Sequence, residues 1–129
     1  MAKQTQTASG TADDPAEAMK LRLREDLKSA LRARDALETS VLRAIIAALD
    51  NAQAVPAHDK HVRYVVHEFG DRKAEVPRLR LDVLDVQLLL ETEIRSRAEA
   101  ADQFEQLGRI DRARKLREET KIVARYLIG

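Results

Sequence analysis

The 129-residue chain has no cysteine and no tryptophan, and only 3% of it is aromatic. Lack of cysteine excludes disulfides, thiol nucleophiles and thiolate-bound zinc, and is compatible with a reducing compartment. Scarcity of aromatics argues against a platform that stacks unpaired bases. No stretch approaches the roughly 20 consecutive apolar residues of a membrane span. An excess of one charge sign is missing as well: 23 Lys and Arg face 22 Asp and Glu, for a formal net charge of +1, so any polyanion partner must be inferred from where the cations sit rather than from their sum. What is present is charge in quantity, 35% of all residues, on a background of Ala and Leu. That mix suits solvated helices packed along aliphatic stripes, and the length suits one all-α domain with a single core.

The stretch MAKQTQTASGTADD is small, polar and without an apolar segment, and predicts a disordered tail over residues 1–14. Asp14 and Pro15 then form an N-cap and a first helical position, with Glu17 in the first turn. Met19, Leu23, Leu27, Ala30 and Leu31 recur at helical spacing, and Lys20, Arg22, Arg24, Lys28, Arg32 and Arg34 are expected on the outer surface. After a break at Arg34-Asp35-Ala36, a second helix carries two stripes, Leu37, Val41, Ile45, Ala48 and Ala52 beside Leu42, Ile46 and Leu49. Two stripes imply more than one packing neighbour. Periodicity fails after Gln53, and Val55-Pro56, Gly70 and Pro77 punctuate an irregular insert of about 54–81 for which no firm structure is assigned.

Asp82 reads as the N-cap of a long helix to Leu107, with Val83, Val86, Leu90, Ile94, Ala98, Ala101 and Phe104 on its buried face and Glu91–Arg95 and Glu93–Arg97 as exposed pairs. In Leu107-Gly108-Arg109 the glycine marks a helix stop and a corner. A last helix returns antiparallel through Ile110, Ala113, Leu116, Thr120, Val123 and Leu127. Seven cations (Arg109, Arg112, Arg114, Lys115, Arg117, Lys121 and Arg125) oppose Asp111, Glu118 and Glu119 there, a local excess of four that the near-neutral total conceals. The expected architecture is an all-α bundle of four main helices built from antiparallel hairpins.

Phosphate-binding candidates are Arg109, Arg112 and Lys115 beside the corner, Arg95 and Arg97 several turns before it, and Lys28, Arg32, Arg34 and Arg43 in the first half, since arginine's fork suits phosphate oxygens. The competing reading is that these charges merely solvate and pair on helix surfaces. Gly108, Phe104 and Tyr126 are expected to be structural, Phe104 filling the space beneath the corner. Nothing forms a catalytic constellation: Ser9 lies in the tail, Ser29, Ser40 and Ser96 lie within helices, and there is no glycine-rich phosphate loop or nucleophile elbow. His58, His61 and His67, with Asp59 or Glu68, could in principle share a metal, but read more simply as loop histidines. No cofactor and no metal are expected.

Glu93-Ile94-Arg95-Ser96-Arg97, then Phe104, Leu107-Gly108-Arg109, Asp111, Ala113, Glu118 and Tyr126-Leu127 resemble the helical region of the GatB/YqeY family. Leu27, Ala30, Arg32, Arg34, Asp35, Leu42, Arg43 and Ala47-Ala48-Leu49 match its first hairpin. The likeness spans roughly Leu21 to Tyr126 apart from the insert, which is longer than the family usually has. A second, C-terminal bundle found in many members is expected to be absent. The resemblance implies a YqeY-like domain over 15–129, similar to the tail of the B subunit of the glutamine-dependent tRNA amidotransferase: a non-catalytic, cytoplasmic module that contacts tRNA. The family's description as a carbon–nitrogen ligase with glutamine as amido donor belongs to the parent enzyme. The alternative is a helical protein–protein adaptor with no RNA role.

Overall fold

The computed structural model describes residues 14–54 and 78–127. Four helices follow one another: α1 Pro15–Ala33, α2 Ala36–Gln53, α3 Val83–Gln106 and α4 Ile110–Ala124. Each of the first three begins on an aspartate. The Asp14 carboxylate accepts the Ala16 and Glu17 N–H groups at 3.1 and 3.2 Å, and Asp35 accepts that of Glu38 at 3.0 Å. Asp82 and Asp85 form a reciprocal capping box at 2.9 and 3.1 Å. These carboxylates satisfy backbone donors that a helix start leaves without partners, and carry charge of the sign that the helix dipole favours.

The helices form two antiparallel hairpins, α1 with α2 and α3 with α4. Leu23 and Ala30 of α1, Val41, Leu42, Ile45 and Leu49 of α2, Val86 and Leu90 of α3, and Val123 and Tyr126 at the end of the chain make the main core. Both stripes of α2 contribute, as expected for a helix touching several neighbours. Ala101 and Ala113 are also buried, but lie outside that cluster, between α3 and α4 alone. The far half of the second hairpin therefore extends past the main core, held by its own small residues and ion pairs. No helix among the described residues is long and apolar enough to cross a membrane.

Several positions depart from the sequence expectation. Leu31 and Val83 are 48% and 52% exposed, and Ala98 is exposed, because the partner helices do not reach across the full width of the periodic stripes. Lys20, expected on the surface, is 1% exposed. Its ammonium is paired with Asp50 at 2.8 Å and Glu17 at 3.1 Å, which makes its burial tolerable. Glu17 also accepts from Gln53 at 3.4 Å and Arg78 at 3.0 Å. Ala54 and Arg78 form an isolated antiparallel bridge, and the Leu79 N–H donates to the Gln53 carbonyl at 2.8 Å. The two ends of the insert are thus pinned side by side, an order that its broken periodicity did not disclose.

Candidate nucleic-acid interface

At the α3–α4 corner, Gly108 has φ of +78°. Its N–H donates to the Glu105 carbonyl at 3.0 Å, and that of Arg109 to the Phe104 carbonyl at 2.8 Å, closing the end of α3. A Cβ built on Gly108 would meet nothing within 4 Å. Glycine is required here by backbone conformation and not by crowding. Phe104 is half-buried, with the guanidinium of Arg112 5.0 Å and that of Arg109 5.7 Å from its ring centroid. Two cations over one ring are positioned by the attraction of its π face while their N–H edges stay available.

The remaining charges of α4 sort cleanly. Arg117 reaches back to Asp102 and Glu105 at 2.9 and 2.7 Å, and Arg114 pairs with Asp111 at 3.7 Å. Lys121 pairs with Glu118 at 3.4 Å, and Arg125 with Glu38 of α2 at 2.8 Å. Arg109, Arg112 and Lys115 remain exposed and without an ion pair among the described residues. Their spacing of three places them in succession along α4 from the corner. The local charge excess is therefore concentrated at the tip of the second hairpin.

Arg97 does not belong to that set. Its side chain is only 14% exposed and its guanidinium is held by Glu93 at 2.7 Å and Glu119 at 3.0 Å, so the pair expected on an open face is part of the α3–α4 seam. Arg95 is exposed and without an ion pair among the described residues, the anticipated Glu91–Arg95 bridge being absent. Arg32, Arg34 and Arg43, around the α1–α2 corner, are likewise exposed and without an ion pair among the described residues, while Lys28 pairs with Glu25 at 3.5 Å.

Tyr126, 2% exposed, donates its hydroxyl to the Asp26 carboxylate. Arg22 stacks 4.6 Å from its ring centroid and donates to the Arg125 carbonyl at 3.2 Å. Burial, then the hydrogen bond and charge of Asp26, push the Tyr126 phenol well above its usual pKa. Hydrogen bonding to Glu38 raises the Arg125 pKa against the opposing effect of burial. Tyr126 and Arg22 thus tie the C-terminal turn to α1. Among the described residues no group of three His, Asp or Glu side chains could hold a metal; His58, His61 and His67 lie outside the described residues.

Two features escaped the sequence reading. Burial of Lys20 had a signal, since Ala16, Lys20, Leu23 and Ala30 share one helical stripe. The clasp of Arg109 and Arg112 on Phe104 spans a corner and had none.

The family described as Yqey-like protein matches residues 20–128 of the chain. No curated protein and no solved structure matches it.

Proposed function

The chain belongs to the YqeY-like family, and we propose that within it this domain is a non-catalytic module that contacts tRNA, in association with tRNA-dependent amidotransfer, through the tip of the α3–α4 hairpin. The observation that carries this reading is the sorting of charge: four of the seven cations from the corner onward are engaged by carboxylates, and the three left over, Arg109, Arg112 and Lys115, stand together at the tip. Unpaired cations on one ridge suit phosphate oxygens, and arginine can engage them with two parallel hydrogen bonds. Contacts of that kind read the backbone and shape of a folded RNA without unstacking its bases.

A protein-adaptor reading has its own observation, the exposed Leu84 and Leu88 at 66% and 53%, one turn apart on α3 with Val83 beside them. The two readings separate on charge reversal. Changing Arg109, Arg112 and Lys115 together to Glu is expected to abolish gel-shift binding of tRNA at low salt while circular dichroism stays helical. Undiminished tRNA binding by the folded triple variant rejects the tip. Loss of helicity assigns these cations a structural part instead.

A further inference from the structure

The two hairpins turn in the same way with different residues. At the α1–α2 corner the Arg34 N–H donates to the Leu31 carbonyl at 3.1 Å and the Asp35 N–H to the Ala30 carbonyl at 3.0 Å, the arrangement that Gly108 and Arg109 repeat at the other corner. Arg34 holds φ of +58°, the only positive φ of a non-glycine residue among the described residues. A side chain in that region costs conformational energy that glycine would avoid, and strain kept in a fold prompts the question of what the side chain does.

Arg34 lines an open groove of about 450 Å³ with Leu31, Asp35, Thr39, Ser40 and Arg43. Arg34 and Arg43 are both exposed and neither has an ion pair among the described residues. Asp35, the one carboxylate in the lining, is engaged in capping α2 through the Glu38 N–H. Thr39 and Ser40 precede Arg43 by four and three residues, which sets two hydroxyl donors on its side of the helix. Two unpaired guanidinium groups and two hydroxyls around an open groove are the donor set of a phosphate group.

We infer that the α1–α2 groove binds a phosphate group between Arg34 and Arg43, with Thr39 and Ser40 supplying further hydrogen bonds. The site is built separately from Arg109, Arg112 and Lys115 and does not rest on their contact with tRNA. The phosphate can belong to a free phosphate or to an RNA backbone, and both present the same oxygens.

Amide chemical shifts of the full chain, followed by NMR during titration with inorganic phosphate and with a short oligoribonucleotide against chloride at matched ionic strength, test the assignment. Saturable shifts are expected at Arg34, Thr39, Ser40 and Arg43, also in the triple Glu variant of the α3–α4 tip, so failure of the tip and failure of the groove are read apart. Arg34→Gly should weaken phosphate binding by about tenfold or more and at the same time raise the melting temperature, opposite effects that a purely structural Arg34 would not produce. Arg43→Gln should weaken binding with little change in melting. Tighter saturation by the oligoribonucleotide identifies RNA as the source; saturation by phosphate alone identifies a free phosphate. Absence of saturable groove shifts with both probes, or shifts unchanged in Arg34→Gly, overturns the site.

Discussion

At the scale of single residues, three positions tie backbone or burial to a measurable consequence. Gly108 turns the chain at φ of +78° in open space, so Gly108→Val should destabilise the fold by about 1 kcal/mol or more through backbone strain alone; a thermal melt indistinguishable from wild type would contradict that. Arg34 supplies the reverse experiment, because Arg34→Gly removes the strain at φ of +58°. It should stabilise the fold by up to about 1 kcal/mol, reduced by the extra freedom that glycine gives the unfolded chain. Tyr126→Phe deletes the hydrogen bond to Asp26 and should cost about 1–2 kcal/mol, since a half-buried carboxylate loses its donor. Burial first, then Asp26, raise the Tyr126 phenol pKa, which sets the sign of its pH dependence. Its contribution is complete below the pKa of an unfolded tyrosine, about 10, and is lost as pH climbs above it, because the unfolded chain then ionises while the folded one resists. Melting temperatures of wild type and Tyr126→Phe should therefore converge on the alkaline side, and a gap that widens there would refute the assignment.

At the scale of elements, the start of a helix is chemistry confined to a few neighbouring residues. That is why Asp14-Pro15, Asp82 and the Gly108 corner were legible in the sequence and why four helices in two hairpins followed. Tertiary pairings were not legible in the same way. Arg97 looked like half of an exposed pair until Glu119, 22 residues further on, closed over it. Lys20 looked like a surface cation because Asp50, 30 residues away, is brought to it only by the α1–α2 hairpin. The width of a buried stripe was overestimated at Leu31 and Val83, since periodicity gives the direction of a face and not the reach of the helix that covers it. The insert yielded least: its ends meet at Ala54 and Arg78, beside the cluster of Glu17, Lys20, Asp50 and Gln53. Within that cluster burial pushes the Glu17 carboxyl up, but the hydrogen bond and charge of Lys20, then Gln53 and Arg78, outweigh it and hold the group below its usual value of 4.5. Its contribution is therefore present above pH 4.5 and is lost as pH falls through the lower folded value. Glu17→Gln should melt lower than wild type at neutral pH and lose less stability on acidification; parallel losses in the two proteins would contradict the network.

At the scale of the whole molecule, a net charge of +1 conveys little, because carboxylates pair with only part of the cations among the described residues, and those without such a pair include two groups. One is the tip of the α3–α4 hairpin beyond the main core, with Arg109 and Arg112 over Phe104 and Lys115 next along α4. The other is the α1–α2 corner with Arg34 and Arg43. Sequence periodicity supplied the helices that carry these cations; which of them stay unpaired emerged only from the packing. RNA contact at the tip is the central claim, and its most direct measurement is the salt dependence of tRNA affinity for wild type and for the variant with Arg109, Arg112 and Lys115 all changed to Gln. Each phosphate contact contributes roughly 0.7–0.9 to the slope of log affinity against log salt concentration. Loss of three contacts should flatten that slope by about 2–3 and weaken binding most at low salt, whereas an identical slope and affinity in the two proteins would show that the tip does not meet RNA.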